Sequence, residues 1–185
     1  MGEKEIKKWK VLSSEYLFRE PWLTVRRQRM ELPDGAIVPS YFVLEYPAWV
    51  CTIALTKEGK MVMVRQYRVG VEKVLLELCA GVVDAEDASL MDAAKRELLE
   101  ETGYGNGTWK LFMTTSANPG THANLTYCFL ATDVEKVEEA HPEQTEDLSV
   151  ELCEPEEVLK MLQNDEVLQS MHAAVLWKYF YNRKQ

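Results

Sequence analysis

The sequence predicts an α/β fold, a mixed sheet with helices on both faces, preceded by an antiparallel β-segment at the N-terminus. Three observations carry this. Short strand-like runs separated by turn residues fill most of the first 80 positions. A helix with both ends marked follows at 89–102, and two more helical stretches close the chain after a late strand.

Val11 to Phe18 and Leu23 to Leu32 are strand-like, Pro33-Asp34-Gly35 supplies turn chemistry, and Ala36 to Glu45 resumes the strand. Pro47 ends this portion, so residues 1–46 read as an N-terminal β-segment and 47–185 as the main domain. Val50 to Leu55 and Met61 to Tyr67 flank a turn at Lys57-Glu58-Gly59-Lys60 and form an apolar hairpin. Val74 to Leu78 is another short strand, closed by Ala80-Gly81. The clearest helix starts near Ser89 and stops at Gly103, a C-terminal cap. Strands at 109–116 and 124–132, an acidic stretch at 135–147 and a strand at 148–153 come next. Pro155 opens a helix through Leu162, and Val167 to Tyr181 form the last one, with Val167, Met171, Ala174, Val175 and Tyr179 at helical spacing. His172, within that apolar helix, reads as a packing residue. There is no internal repeat and no low-complexity tract.

The 185 residues are 46% hydrophobic and 28% charged, which suits one domain with a sizeable core. No apolar run reaches the roughly 18 residues of a membrane span. The charged start, Met1 to Lys8, leads into no apolar stretch of a secretion signal, so the expected compartment is the cytoplasm. Cys51, Cys79, Cys128 and Cys153 lack metal-ligand spacing and read as reduced, buried thiols. A net charge of −9 argues against nucleic acid as a partner. An acidic protein still handles an anionic substrate when divalent cations neutralise a carboxylate cluster.

Such a cluster is visible on the central helix. Met91, Ala94 and Leu98 share an apolar stripe, while Glu97, Glu100 and Glu101 share another face. Crowded carboxylates repel one another unless something neutralises them, and oxygen ligands on a rigid element suit Mg²⁺, with Mn²⁺ as substitute. Arg96 is within reach of Glu100 and can orient it.

Arg96-Glu97-Leu98-Leu99-Glu100-Glu101-Thr102-Gly103-Tyr104 matches the second half of the Nudix box, R-E-U-x-E-E-x-G-U. Glu77-Leu78-Cys79-Ala80-Gly81 resembles the E-x-P-A-G lead-in of the ADP-ribose pyrophosphatase and nucleoside-diphosphate-sugar branch, with Cys79 in place of proline. One residue is inserted between Gly81 and Arg96 relative to the box. Counting back from Arg96 places the first acid at Ala88, so Glu86 or Asp87 takes that role. The resemblance implies a Nudix-type α/β/α sandwich. It also implies a metal site on Glu97, Glu100 and Glu101 with the Ala80 carbonyl, and a substrate path past Gly81.

Pro119 lies 15 residues after Tyr104, an offset that marks ADP-ribose pyrophosphatases in this family, and Arg68 of Arg65-Gln66-Tyr67-Arg68 corresponds to an arginine that contacts the diphosphate or ribose. Trp22 sits where dimeric relatives stack an aromatic on the base, with Tyr41 or Phe42 as the second face. The family's general base lies on the loop before the strand at 148, so Glu146 or Glu143 is expected there, with Gln144 at a position acidic in several relatives. Thr121-His122-Ala123-Asn124 lacks a glutamate common after the proline. The implied protein is a homodimeric Mg²⁺-dependent hydrolase of ADP-ribose, with no membrane or nucleic-acid partner. Another sugar nucleotide such as GDP-mannose is the alternative substrate, and a non-catalytic nucleotide-sugar sensor the alternative class.

Overall fold

A computed structural model of the protein describes residues 5–20, 22–142 and 146–183. The chain divides into two compact units, Met1–Tyr46 with Asn118–Asn124, and Pro47–Ala117 with Leu125–Gln185. No helix among the described residues is long and apolar enough to cross a membrane.

The first unit is a three-stranded antiparallel sheet of β1 (Lys10–Glu20), β2 (Leu23–Glu31) and β3 (Ile37–Glu45), in that order. The predicted turn at Pro33-Asp34-Gly35 joins β2 to β3 and is closed by Leu32 N–H donating to Ala36 O at 2.8 Å. The segment 118–124 runs beside β3, where Leu44 N–H donates to Thr121 O at 2.8 Å and Ala123 N–H to Leu44 O at 2.9 Å. The sheet is thinly covered: Tyr16, Phe18, Trp22 and Phe42 are all exposed, Trp22 to 76%.

The second unit is an eight-stranded mixed sheet. Its strands are β4 (Trp49–Thr56), β5 (Met61–Arg68), β6 (Lys73–Glu77), β7 (Cys79–Val82), β8 (Tyr104–Gly105), β9 (Thr108–Thr115), β10 (Thr126–Lys136) and β11 (Leu148–Cys153). The main path runs β11-β5-β4-β10-β8, with β6 on β5, β7 on β4 and β9 on β10. Among the described strands of this sheet, β4 and β10 alone pair in parallel, register Cys51↔Cys128. Side-chain alternation then sorts the core to two faces. Val50, Ala54, Val62, Phe129 and Ala131 pack with Ala93, Ala94 and Leu98 of helix α1 (Leu90–Thr102). Cys51, Ile53, Met61, Met63, Cys128 and Leu130 pack with Val158 and Leu162 of α2 (Pro155–Gln163) and Val175, Leu176 and Phe180 of α3 (Ser170–Arg183). The α/β/α layering expected from sequence is thus present, and all four cysteines are buried free thiols.

Four elements differ from expectation. β7 and β8 are strands in their own right, and β10 continues to Lys136 through the start of the acidic stretch, because Glu135 and Lys136 pair with Gly105 and Tyr104. The last helix begins at Ser170 instead of Val167, following a turn in which Asp165 takes a positive φ of 59°. His172 is fully buried as a packing residue. Burial, then the charge of Arg68, pushes its imidazole down to about 3, so the ring is neutral.

The hairpin splits where the site forms. β4 and β5 face each other only at Ala54↔Val62 and Leu55↔Met61. Beyond that they diverge, and β6 and β7 fill the opening, β6 along β5 and β7 along β4. β7 thereby comes to lie against α1. The helix is anchored at both ends. The Ser89 hydroxyl accepts from Asp92 N–H at 3.1 Å, and Gly103 N–H donates to Leu99 O at 2.7 Å in the left-handed conformation, φ 73°. A Cβ at Gly103 would overlap the Glu138 carbonyl, which sits there because Val137 N–H and Glu138 N–H both donate to Gly103 O. Gly103→Ala should therefore lower the unfolding free energy by about 1–3 kcal/mol, read as a shifted urea midpoint. An unshifted midpoint would mean that this turn tolerates a side chain.

Candidate active site

Arg96 organises the site. All five of its N–H groups find an acceptor. Nε donates to Asp87 Oδ1 at 3.0 Å and Nη2 to Asp87 Oδ2 at 2.9 Å, a bidentate pair. Nη2 also donates to the Val82 carbonyl at 3.0 Å, and Nη1 donates to Glu97 Oε1 and Glu100 Oε2, both at 3.0 Å. The second contact was expected from the i, i+4 spacing. The other four were not. Asp87 first, then Glu97, holds the guanidinium charged by raising its pKa.

Asp87 takes the role left open between Glu86 and Asp87. Its side chain is 7% exposed and accepts Asp84 N–H at 2.8 Å in addition to Arg96. Arg96 accordingly holds its carboxyl below the usual range. The inserted residue is absorbed in the loop, and the acid reaches the arginine all the same.

Glu97, Glu100 and Glu101 stand on α1 as the spacing required, but in unequal settings. Glu100 is one-third exposed, Glu97 is 12% exposed at its side chain and Glu101 is buried. Burial pushes Glu97 up to about 7, opposed by Arg96 and reinforced by Glu100 and Glu146. Burial pushes Glu101 up to about 8, with Glu97 and Glu146 adding repulsion, while the Cys79 thiol and the Ala80 N–H, at 3.3 Å from Oε2, oppose it. Glu146 therefore lies close enough to feel both carboxylates. Glu143 and Gln144 fall outside the described residues.

Gly81 owes its place to packing. A Cβ there would overlap the Glu97 carboxylate, so a side chain at this position would displace that carboxylate from its place on Arg96. Among the described residues no three acidic, imidazole or thiol groups already converge as cation ligands. Glu97 and Glu100 turn to Arg96, and Glu101 turns to the Ala80 amide. The donor set still fits a hard divalent cation, whose charge would favour the ionised carboxylates that burial, and then like charge, disfavours at Glu97 and Glu101. Cys79, in the place of the lead-in proline, fits this packing: it is buried beside Leu98 with its thiol against Glu101.

The remaining predicted residues are dispersed. Arg68, at the end of β5, is bonded to buried Glu77 of β6, through Nε at 2.7 Å. Glu77 was missed as a partner, although the lead-in motif contains it. Trp22, Tyr41 and Pro119 belong to the first unit. There, Asn118 O accepts Thr121 N–H at 3.1 Å and His122 N–H at 2.8 Å around the Pro119-Gly120 turn, and the Tyr41 hydroxyl donates to Gly120 O.

Comparisons with known proteins agree with this geometry. Residues 9–44 match the nucleoside diphosphate sugar hydrolase N-terminal domain, and residues 45–173 match the NUDIX domain. An ADP-ribose pyrophosphatase of Bacillus subtilis (strain 168) is 31% identical over 160 residues, covering 85% of each chain. A GDP-mannose pyrophosphatase of Enterobacter sp. (strain 638) is 30% identical over 138 residues, 69% of this chain and 71% of that one. The crystal structure of an ADP compounds hydrolase superposes with a TM-score of 0.79 over 98% of both chains at 21% identity, which shows the shared fold. With the Arg96–Tyr104 motif running from α1 through its Gly103 cap to β8, and a matching domain over most of its length, the chain belongs to the Nudix hydrolase family, in the ADP-ribose pyrophosphatase and nucleoside-diphosphate-sugar hydrolase branch.

Proposed function

We propose that the protein hydrolyses the diphosphate bond of a nucleoside diphosphate sugar, most specifically ADP-ribose to AMP and ribose 5-phosphate. The observation that carries this is the carboxylate cluster of Glu97, buried Glu101 and Glu146 beside Arg96, in which burial first and like charge second raise Glu97 and Glu101. Water adds to one phosphorus, the bridging P–O bond breaks, and two phosphomonoesters leave. Mg²⁺, with Mn²⁺ as substitute, neutralises the diphosphate and acidifies water when bound. Glu97, Glu100 and Glu101, with Ala80, would hold it. Arg96 orients Glu97 and Glu100, and Asp87 orients Arg96. Glu146 takes the proton from the attacking water, with Glu143 as the other acid of that loop. Gly81 keeps the approach to Glu97 open, and Arg68 offers its charge to the diphosphate or ribose. Pro119 shapes the loop on the substrate side.

Residues 1–46 form, in this reading, the segment that pairs two copies of the chain into a homodimer, with 47–185 as the hydrolase domain. The exposed Phe18, Trp22 and Phe42 support it, since a second copy would cover them. Trp22 and Tyr41 then present aromatic faces to the base bound by the partner.

Four outcomes are expected. Assayed with Mg²⁺ on a panel of diphosphate compounds, the protein should cleave ADP-ribose in preference to GDP-mannose, and a reversed preference would overturn the substrate. Glu101→Gln should keep the melting temperature yet lose at least about a hundredfold in turnover, and intact turnover would remove Glu101 from the metal set. Asp87→Asn should weaken Mg²⁺ binding on the order of tenfold through Arg96, measured by calorimetry; unchanged binding would reduce Asp87 to a loop support. Gel filtration should return twice the monomer mass, and a monomer would sink the shared base site.

A further inference from the structure

On the face of the main sheet away from α1, two of the buried thiols meet. The parallel neighbours β4 and β10 put Cys51 directly opposite Cys128. Both side chains belong to the core beneath α2 and α3, with Ile53, Met63 and Leu130, and neither is more than 1% exposed. Neighbouring strands lie about 4.8 Å apart. A disulfide spans Cα separations of roughly 4.4–6.8 Å when both Cβ atoms point the same way, so these two thiols can join without moving the backbone. The other cysteines are placed otherwise. Cys79 packs on the opposite face with Leu98, its thiol against Glu101, and β5 separates β11, which carries Cys153, from β4.

The two thiols are chemically unequal. The Cys51 S–H donates to Cys128 Sγ, and this bond holds the Cys128 thiol below its usual range against the effect of burial, with the charge of Lys178 adding to it. The same bond, then burial, pushes the Cys51 thiol up. Lys178 is fixed nearby: its Nζ donates to Phe112 O at 2.6 Å and lies 4.8 Å from the centre of the Phe112 ring. Phe112 adjoins Met113, the partner of Cys128 on β9. Of two such thiols, the one that ionises more readily is the nucleophile and the one that keeps its proton resolves the product.

We propose that Cys51 and Cys128 are an oxidation site, which hydrogen peroxide, a small uncharged oxidant, converts to a disulfide between β4 and β10. The Cys128 thiolate attacks one peroxide oxygen and the O–O bond breaks. The hydroxide released takes the Cys51 proton, leaving water and a sulfenic acid on Cys128. The Cys51 thiolate then displaces hydroxide from Cys128 Sγ, the S–S bond forms, and that hydroxide takes up the proton Cys128 lost at the start. Two thiols give up two electrons, and the peroxide ends as two waters. The bond closes a long loop and so constrains the unfolded chain. It also ties the strand that supports the acidic helix: on β7, Ala80 faces Cys51 of β4 and donates its N–H to Glu101.

The test treats the full chain with a few equivalents of hydrogen peroxide, removes the excess with catalase, and alkylates the remaining thiols with N-ethylmaleimide in denaturant. Two of the four thiols should escape alkylation, and peptide mapping should find Cys51 joined to Cys128. The melting temperature of the oxidised protein should rise by about 5 °C or more. Cys51→Ala should abolish both the crosslink and the shift, and dimedone should then label the sulfenic acid on Cys128. Cys79→Ala and Cys153→Ala should leave crosslink and shift intact. Four alkylated thiols after peroxide, a bond through Cys79 or Cys153, or Cys128 driven to the sulfonic acid without a crosslink would overturn the site. A crosslink that leaves the melting temperature unchanged would overturn the tie between the strands. Should Cys51→Ala fail to fold, the peptide map of the unaltered chain decides by itself.

Discussion

The bonded guanidinium of Arg96 is the constraint on which the rest of the site depends. It ties three separate pieces of chain, the end of β7 through the Val82 carbonyl, the loop through Asp87 and the helix through Glu97 and Glu100. A planar fork of donors satisfies acceptors lying in different directions, which a lysine ammonium on a flexible stem does not reproduce. Because the partner of Arg96 is chosen by position in space, one extra residue in the preceding loop leaves the contact intact.

Around that point the structure gathers several carboxylates. Burial raises both Glu97 and Glu101, and like charge adds to it, from Glu100 and Glu146 at Glu97 and from Glu97 and Glu146 at Glu101. The cluster is kept together by elements whose stability comes from elsewhere: the apolar stripe of α1 on the sheet, its two caps, and β7 wedged into the split between β4 and β5. Gly81 is part of the same compromise, since a side chain there would displace the Glu97 carboxylate. Sites that bind a cation commonly carry this kind of local conflict, compensated by packing outside them.

The Arg68–Glu77 pair shows a second use of buried charge. It fastens the end of β5 to β6 with a carboxylate that is itself buried. Glu77 on β6 and Ala80 on β7 are three residues apart, so this pair and Glu101 of the acidic helix, which accepts the Ala80 N–H, are held by one piece of backbone.

Much of this was determined by local sequence. The period of the apolar residues, Ser89, Gly103 and the glutamate spacing decide α1 and its acidic face, because a helix sets neighbours at three and four residues without help from the rest of the chain. Strand parity likewise predicts the two packed faces. What only the tertiary structure decided are contacts between segments distant in sequence. Asp87 rather than Glu86 on Arg96, the second bond of Arg68's partner Glu77, the β7 and β8 strands and the extension of β10 to Lys136 all depend on which segments meet. A two-residue strand such as Tyr104–Gly105 has no period to detect, and a loop acid has no fixed direction until folding brings its partner near.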